Sequence, residues 1–384
     1  MPAPGAVRVL GISVPDVSDW RQDEPAGKWS PFYAALAQRF ALIDVIQPEL
    51  SIADRSLNLA RAFHPRRHNW SARAGANPFL VRRRTEAVQR GLDRYQGSYD
   101  LIVQLQTLCE PGFDRAGAPY TIYTDSTLAL NRRVYPEGVG LSPDAIAAWM
   151  TFEADVCRSA SVVFTFSEFA RRSVIDDYGC SAERVVAVGA GANQFLPELD
   201  DGEATTPRAL FVGADFGRKG GQVLLEAWNV VREHVGDAEL IIAGPRRDPT
   251  SAGLAGVRWV GRVDRAALAD LYRSASVFVL PSLFEPWGHV FLEAMGYGLP
   301  CVGTSCCAMP EIIADGVTGI LVARGSVEAL AAALIDLLAD RDRARALGRA
   351  GYAKVMNGYR WSDVIDRVAA HLPPAPASSL STRR

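Results

Sequence analysis

The fold is predicted from one stretch of the sequence: Pro281-Ser282-Leu283-Phe284-Glu285-Pro286-Trp287-Gly288-His289-Val290-Phe291-Leu292-Glu293-Ala294-Met295. An apolar run, Ala275 to Leu280, leads directly into it and predicts a buried strand. Pro286 and Gly288 then predict a tight turn, and helical spacing begins near His289. Nearly every later side chain is apolar, which is typical of a helix buried on all sides. The stretch therefore predicts a strand, a turn and a buried helix in succession.

Two glutamates bracket the first turn of this predicted helix. Glu293 lies inside the apolar run, where an ionised carboxylate without partners is costly. Glu285 stands at the mouth of the turn, and His289 lies four residues before Glu293 on the same helical face. The free N–H groups of a helix start favour anions. A ligand with hydroxyls at both ends and phosphates between them would suit this arrangement. The alternative is a buried crossover helix whose glutamate caps neighbouring backbone.

The pair Glu285 and Glu293, within Phe-Glu-Pro-Trp-Gly-His-Val-x-Leu-Glu-Ala-Met, resembles the E-x7-E signature of family-4 retaining glycosyltransferases of the GT-B fold. The resemblance covers nearly the whole chain and is strongest from about Ser161 to Thr318. It implies an α/β fold of two Rossmann-like domains that face each other across a cleft, with a C-terminal helix that crosses back to the N-terminal domain. It also implies that Glu285 binds hydroxyls of a donor sugar and Glu293 the ribose hydroxyls.

Composition describes an ordinary globular protein. The 384 residues suffice for two domains, and 48% hydrophobic with 22% charged residues is typical of soluble folds. A formal charge of −2 argues against a dedicated nucleic-acid binder. We expect a cytoplasmic protein, since neither a signal peptide nor an apolar run long enough for a membrane span is evident. The six cysteines show no zinc-like spacing, and Cys306-Cys307 is interpreted as a packing pair.

Domain boundaries follow from the return of the strand–helix rhythm after an acidic, proline-bounded segment. We predict an N-terminal acceptor domain over 1–196, a linker over 197–207 and a nucleotide-sugar-binding domain over 208–358. The helix at 359–372 is assigned to the N-terminal domain, and 373–384 is predicted to be a disordered tail.

The second half also contains a glycine-rich basic turn, Asp215 to Gly221, that leads into a predicted helix and suits phosphate. The resemblance implies that Lys219 contacts the donor diphosphate, and that Arg218 substitutes for an arginine usual at the position of Ala214. Where relatives have paired glycines this chain has Cys307 and Ala308, so we expect positive φ to be disfavoured there. The remaining donor-binding residues implied by the resemblance are Trp287, Gly288, His289, Val290, Arg262, Gly244 and Gly191.

The N-terminal half has two weaker candidates. Gly27 precedes a predicted helix and would let a ligand approach closely, although an ordinary loop glycine is an equal interpretation. Asp125 follows a predicted strand, where open α/β sheets place their ligands. Relatives frequently carry a histidine near this point. Asp125 is interpreted either as a contact to the donor sugar or acceptor hydroxyl, or as the cap of the next helix.

From Arg55 to Arg94 ten arginines face only two acidic residues, with aromatic side chains between them. Such a segment can rest on anionic lipid headgroups, at the inner face of the cell membrane, or can simply be a solvated helix pair. The resemblance favours the membrane, because many such transferases use lipid-linked acceptors. The histidines His64 and His68 lack a third ligand, so no metal is expected there.

We therefore expect a retaining, metal-independent glycosyltransferase that moves a sugar from a nucleotide-sugar donor to an acceptor hydroxyl in bacterial polysaccharide or glycolipid assembly. Glu285, Lys219, Arg218 and Asp125 are the predicted catalytic residues, and no cofactor is implied beyond the co-substrate. A dehydrogenase is disfavoured, because no G-x-G-x-x-G follows the first strand. A catalytically inactive nucleotide-sugar-binding or assembly protein of the same fold is the remaining alternative.

Overall fold

The computed structural model describes residues 7–22, 27–111, 118–193, 197–199, 206–246 and 253–373. The chain forms two compact units: Met1–Gly189 together with Val364–Arg384, and Ala190–Asp363. The predicted linker is described only at 197–199 and 206–207, and the predicted tail only at Pro373. Residues 190–193 and 359–363 group with the C-terminal unit, whereas the sequence analysis assigned them to the N-terminal domain. No helix in the described part is long and apolar enough to cross a membrane.

The N-terminal unit is a parallel sheet with helices between its strands. Its strands are β1 (Arg8–Ser13), β2 (Ala41–Ile46), β3 (Leu101–Leu105), β4 (Tyr120–Thr124), β5 (Val162–Thr165) and β6 (Val185–Ala187). They lie in the order β2-β1-β3-β4-β5-β6. Its helices are α1 (Ser30–Arg39), α2 (Ile52–Arg61), α3 (Arg67–Gly75), α4 (Pro78–Arg94), α5 (Leu128–Val134), α6 (Pro143–Ser159) and α7 (Glu168–Asp176). The basic segment thus forms three helices, α2 to α4, rather than a helix pair.

The C-terminal unit repeats the plan with six more parallel strands, in the order β12-β11-β10-β7-β8-β9. They are β7 (Arg208–Val212), β8 (Glu239–Ala243), β9 (Val257–Gly261), β10 (Val277–Leu280), β11 (Cys301–Thr304) and β12 (Gly319–Val322). The helices are α8 (Gly221–His234), α9 (Arg265–Ser274), α10 (His289–Gly296), α11 (Met309–Ile312), α12 (Val327–Ala339), α13 (Arg341–Met356) and α14 (Trp361–Ala369). This strand order is the doubly wound arrangement of dinucleotide-binding folds.

The predicted buried helix is confirmed as α10. It begins at His289, and Phe291, Leu292, Ala294 and Met295 are fully buried. Its strand, β10, is buried along its whole length, as the apolar run predicted. Burial on all sides explains why the helix carries no polar stripe.

The last helix, α14, belongs to both units in sequence but packs with the N-terminal one from Val364 onward. Val364, Ile365 and Val368 are buried, which matches the apolar face predicted from their spacing. Arg367 Nε donates to the carbonyl oxygen of Val188 at 2.7 Å. The chain therefore returns to its first unit after completing the second.

Candidate active site

The candidate site lies where the strand order of the C-terminal sheet reverses. β7 and β10 are neighbours in that sheet, and their successors along the chain, β8 and β11, lie on opposite sides of them. Loops that leave the carboxyl ends of two such strands diverge and leave a crevice that binds ligands in open α/β sheets. Residues 213–220 follow β7 and residues 281–288 follow β10. The topology thus brings together the two loops that carry the predicted catalytic residues of this unit.

Glu285 meets both predicted cations at this point. Lys219 Nζ forms a hydrogen-bonded ion pair with Glu285 Oε2, and Arg218 Nη1 lies 3.7 Å from the same oxygen. The Glu285 side chain is 7% exposed and that of Lys219 is 12% exposed. The ion pair offsets part of the free-energy cost of burying the Glu285 carboxyl group. The three residues therefore form one charged cluster.

The two loops are also joined through their backbones. The Leu283 N–H donates to the Arg218 carbonyl oxygen at 2.9 Å, and Arg218 Nη1 donates to the Phe284 carbonyl oxygen at 2.8 Å. Gly220 has a φ of 72°, and a Cβ there would overlap the Pro281 carbonyl oxygen. Only glycine fits both that conformation and that contact. Glu285 is therefore held by neighbours that are themselves fixed.

The start of α10 contributes backbone donors beside this cluster. Gly288 is its N-cap residue and makes no side-chain cap. Trp287 is buried and lies against Tyr359, with ring centroids 6.0 Å apart. His289 Nδ1 lies 3.0 Å from the carbonyl oxygen of Gly191. Free N–H groups at a helix start attract anions.

Gly191 and Val290 complete the surroundings of this helix start. A Cβ at Gly191 would lie 2.6 Å from the indole ring of Trp361, so this glycine permits a close approach of backbone to ring. Val290 is half-buried. His289 and Gly191, distant in sequence, are therefore brought together within the C-terminal unit.

Glu293 lies within α10, and its carboxyl group has different partners from that of Glu285. Its carboxyl group is buried and accepts a hydrogen bond from Tyr272 Oη at 3.0 Å. Burial raises the pKa of Glu293 to about 7, while the Tyr272 hydroxyl and the charge of Arg265 act in the opposite direction. Near neutral pH this carboxyl therefore exchanges a proton easily. It accepts hydrogen bonds from ligand hydroxyls best when ionised.

Arg265 and Asn193 surround this region from two other segments. Arg265 Nη2 donates to the Asn193 carbonyl oxygen at 2.5 Å, and Trp361 Nε1 donates to Asn193 Oδ1 at 3.1 Å. Arg262, one of the predicted donor-binding residues, follows β9 and is exposed. Gly244 follows β8 with a φ of 116°, and a Cβ there would lie 2.7 Å from the Gly213 carbonyl oxygen. Gly244 thus lets the loops after β7 and β8 approach each other.

The cysteine pair differs from expectation. Cys307 adopts a φ of 56°, so the expected avoidance of positive φ is wrong at this position, whereas Ala308 keeps a φ of −84°. The left-handed conformation costs an ordinary residue about 1–2 kcal/mol, so its surroundings must maintain it. The Glu285 backbone hydrogen-bonds the Cys307 thiol, and Cys307 hydrogen-bonds Cys306. The hydrogen bond between the two thiols lowers the pKa of Cys306. The pair is therefore part of the Glu285 surroundings and not merely packing.

The N-terminal candidates lie among loops at the carboxyl edge of their own sheet. Asp125 Oδ2 pairs with Lys28 Nζ at 3.2 Å, and Asp125 Oδ1 accepts from Gln106 Nε2 at 3.0 Å. Gln106 has a φ of 62°. Thr127, not Asp125, caps α5 by accepting from the Leu130 N–H. The capping interpretation of Asp125 is therefore wrong.

Gly27 is held next to Lys28. Its N–H donates to Asp19 Oδ2 at 3.1 Å, and Asp19 also accepts from the Ser30 hydroxyl at the start of α1. A Cβ at Gly27 would lie 2.6 Å from Ser30 Oγ. The glycine therefore has a structural reason of its own, the close approach to Ser30.

Two motifs whose spacing is found in metal sites, His64 with His68 and Asp340-Arg341-Asp342, take part in local hydrogen bonds. Among the described residues no group of three or more His, Cys, Asp or Glu side chains could hold a metal ion. The D-x-D spacing at Asp340 is a helix cap, because Asp340 Oδ1 accepts from the Arg343 N–H at 3.0 Å. His64 Nδ1 accepts from the Arg66 N–H.

Sequence reasoning missed four residues of the site. Tyr272 and Arg265 lie on α9, over twenty residues before Glu293, and nothing in their local pattern indicates a carboxyl partner. Lys28 is adjacent to a predicted residue, but its ion pair with Asp125 spans 97 positions. Gln106 follows β3, at the strand edge where ligands are expected, so its position was the one available signal.

Residues 206–340 match the family described as Glycosyl transferases group 1. Over 213 residues the chain is 33% identical to a phosphatidyl-myo-inositol mannosyltransferase of Mycobacterium leprae (strain TN), across 53% of this chain and 56% of that protein. Over 170 residues it is 33% identical to a GDP-mannose-dependent alpha-(1-6)-phosphatidylinositol monomannoside mannosyltransferase of Mycobacterium tuberculosis (strain ATCC 25618 / H37Rv), across 40% and 44%. The chain spans about half the length of the curated relatives it matches.

Solved structures extend the similarity of fold to nearly the whole chain. A sucrose-phosphate synthase from Thermosynechococcus elongatus superposes with a TM-score of 0.70 at 20% identity, over 95% of this chain and 98% of that one. WaaG, a glycosyltransferase involved in lipopolysaccharide biosynthesis, gives 0.65 at 17% identity, over 96% and 100%. The predicted fold class is confirmed. Residues 206–340 therefore form a glycosyl transferases group 1 domain, in a chain with the two-sheet GT-B fold.

Proposed function

We propose that this protein is a retaining glycosyltransferase that moves a sugar from a nucleotide-sugar donor to a hydroxyl group of a glycolipid or glycan acceptor. The observation that carries the proposal is the buried cluster of Glu285, Lys219 and Arg218 beside the start of α10. A sugar and a diphosphate need opposite partners, and this cluster offers a carboxylate for hydroxyls and cations for phosphate. The named relatives, which are mannosyltransferases, support the same class of reaction.

The proposed step breaks the bond between the anomeric carbon and the diphosphate oxygen. Positive charge grows on the sugar and negative charge on the departing diphosphate. The acceptor oxygen then bonds to the anomeric carbon, and its proton passes to the departing diphosphate oxygen. Lys219, Arg218 and the N–H groups at the start of α10 would stabilise the diphosphate, and such preorganised donors often supply the largest part of catalysis. Because these cations can do the work of a metal ion, we expect the reaction to proceed in EDTA.

The two glutamates would hold the two ends of the donor. Glu285 would accept hydrogen bonds from sugar hydroxyls once the donor phosphates draw Lys219 away from it. Glu293, with its pKa raised to about 7, would accept from the ribose hydroxyls. We assign no covalent nucleophile, which agrees with departure and attack on one face of the sugar, and hence with retention. Asp125, held by Lys28 and Gln106, is the candidate contact to the donor sugar or the acceptor hydroxyl.

We propose that the donor is GDP-mannose and that the acceptor is an anionic lipid. The first follows the name of one relative and the second the names of both. The arginine-rich helices α2 to α4 support contact with an anionic membrane surface, because basic side chains near a bilayer each add attraction to acidic headgroups. We accordingly propose a peripheral position at the inner face of the cell membrane.

The experiment is a turnover assay with GDP-mannose, UDP-glucose and ADP-glucose, each with EDTA and vesicles that contain phosphatidylinositol. We expect one donor to yield a glycolipid whose anomeric configuration, read by NMR, equals that of the donor. Glu285→Gln should lower turnover by about a hundredfold or more. Inversion of configuration, or dependence on added Mg²⁺, would contradict the mechanism. Donor binding without any turnover would favour the inactive binding protein.

A further inference from the structure

The N-terminal unit contains a cavity that none of the predicted site residues lines. It has a volume of about 940 Å³ and lies between α4 and α6, next to the ends of α2 and α3. Pockets that hold small molecules measure about 300–1,000 Å³, so this one is large enough for a ligand. It is formed by residues 61–152 of one unit.

Aromatic and aliphatic side chains line one part of this cavity. Trp149 and Phe152 on α6 lie edge to face with ring centroids 5.7 Å apart, and Phe79 on α4 faces the same space. Leu141, Ala145 and Ala148 add further apolar surface. A lining of this kind gains free energy by removing hydrocarbon from water.

Cationic side chains from three helices line the same cavity. Arg61 comes from α2, Arg73 from α3 and Arg82 from α4. Arg82 pairs with Glu86. Within the residues that the structure describes, Arg61 and Arg73 form no ion pair. The Arg61 guanidinium lies over the Phe79 ring, 5.1 Å from its centroid. Glu110 is the other acidic residue of the lining. The excess of arginine favours an anion beside the apolar part.

Exposed apolar side chains concentrate on and just after α2, the helix that ends at Arg61. Four of the seven large hydrophobic residues exposed in the described part of the chain fall within 52–63: Ile52 at 84%, Leu57 at 46%, Leu59 at 48% and Phe63 at 63%. Ile52 and Leu59 are seven positions apart and share one face of α2. Helices with exposed apolar and basic residues lie in the boundary between lipid headgroups and chains. The segment 52–63, whose residues Arg61 and Ala62 line the cavity, therefore also carries side chains suited to a bilayer boundary.

We propose that this cavity binds a single hydrocarbon chain of an anionic lipid, with the phosphate of the lipid at Arg61 and Arg73. The chain would leave the bilayer at α2 and lie against Trp149 and Phe152. The inference deepens the proposed function, since it gives the acceptor lipid a site. It rests on that function only for the identity of the lipid as an acceptor.

The test uses the full chain and lysophosphatidic acid, one chain with a phosphate headgroup, carrying bromine on the chain. Bromine quenches tryptophan fluorescence on contact, so we expect quenching that Trp149→Phe largely removes. Calorimetry should give weaker binding for lysophosphatidylcholine, which lacks net charge, and no measurable binding for glycerol 3-phosphate, which lacks the chain. Equal binding of glycerol 3-phosphate would show an anion site and overturn the proposal.

Matched variants locate the chain. Ala148 lines the cavity and Ala147 does not, and both are exposed on α6. Ala148→Trp should weaken lysophosphatidic acid by about tenfold or more, whereas Ala147→Trp should leave its affinity unchanged. Arg61→Gln with Arg73→Gln should weaken lysophosphatidic acid and leave lysophosphatidylcholine unchanged. Equal affinities of the two tryptophan variants, or quenching that survives Trp149→Phe, would refute the site.

The result is separable from that of the proposed function. Donor hydrolysis by water, measured without lipid, depends on the C-terminal loops and should be normal in Ala148→Trp. Normal hydrolysis with no lipid binding in the wild type would refute the cavity and leave the transferase standing. Lipid binding with no turnover of any donor would support the cavity and refute the transferase.

Discussion

Two carboxylates of the C-terminal unit are buried to the same extent and are stabilised in opposite ways. Glu285 is 5% exposed and Glu293 6% exposed. Glu285 lies against Lys219 and Arg218, whereas Glu293 has the neutral hydroxyl of Tyr272 as its hydrogen-bond donor. The pKa of Glu293 rises to about 7 because burial outweighs that hydrogen bond. At equal burial, one carboxyl group is therefore paired with cations and the other has a raised pKa.

The difference teaches what each end of a donor would require. A departing diphosphate needs charges that are present before the reaction begins, and the Glu285 cluster maintains two cations in a buried place. Ribose hydroxyls need only an acceptor, and a carboxyl near its pKa can supply one at small cost. In the proposed function, the loops after β7 and β10 would therefore bind the sugar and diphosphate, and Glu293 on α10 would bind the nucleoside.

The largest effect is expected from Lys219→Met. It removes the cation that meets Glu285 and should lower turnover by about 10²–10³-fold. It should also lower the free energy of unfolding by about 1–3 kcal/mol, because the buried carboxylate loses its closest partner but keeps Arg218 at 3.7 Å. Steady-state kinetics with saturating donor and urea unfolding at pH 7.5 measure the two effects.

A second variant separates charge from packing at this position. Lys219→Met combined with Glu285→Gln leaves no uncompensated buried charge, so most of the stability should return while turnover stays low. Full recovery of turnover in the double variant would mean that the cluster is structural only.

Glu293→Gln is expected to change the pH dependence of stability. A carboxyl whose pKa is raised in the folded state contributes fully below its ordinary value of 4.5, and this contribution is lost as pH rises through about 7. The wild type should therefore lose about 3 kcal/mol relative to Glu293→Gln between these limits. Urea unfolding from pH 4.5 to 8 measures the difference, and parallel curves for the two proteins would contradict the raised pKa.

Tyr272→Phe should move the same transition by a smaller amount. The Tyr272 hydroxyl lowers the pKa of Glu293, so its removal should raise that pKa further and shift the pH window upward. The loss of one buried hydrogen bond should cost about 1 kcal/mol of stability at pH 7. Tyr297→Phe serves as the matched control, because Tyr297 stacks on Tyr272 in the same region. A downward shift of the window would contradict the assigned role of the hydroxyl.

Alkylation of Cys306 should give the smallest change and affect one end of the site only. The pKa of Cys306 is lowered by its hydrogen bond with Cys307. Burial raises the pKa values of the other described thiols at Cys109, Cys157, Cys180 and Cys301. Iodoacetamide at pH 7.5 should therefore label Cys306 first, as peptide mass spectrometry would show. Turnover should fall severalfold with nucleoside diphosphate affinity unchanged. Equal labelling of Cys301 would contradict the assignment.

Much of this arrangement could be predicted from local pattern. The apolar run before Pro281 predicted β10, and the apolar positions after His289 predicted α10, since each pattern reflects burial of one element. The neighbouring positions of Lys219 and Glu285 came from the resemblance and not from spacing, because they lie 66 residues apart. Tyr272 and the positive φ of Cys307 depend on tertiary packing, which no window of the sequence contains.

The most direct measurement is a calorimetric comparison of the wild type, Glu285→Gln and Glu293→Gln, each titrated with GDP-mannose, GDP and 2′,3′-dideoxy-GDP in EDTA at pH 7.5. If the turnover assay identifies UDP-glucose or ADP-glucose as the donor, the corresponding UDP or ADP ligands are used in place of the GDP ligands. Glu293→Gln should weaken GDP by about tenfold and abolish its preference over dideoxy-GDP, while Glu285→Gln should weaken GDP-mannose without weakening GDP. Equal losses for both variants on GDP, or no loss for either, would contradict the assignment of the two carboxylates to the two ends of a nucleotide sugar.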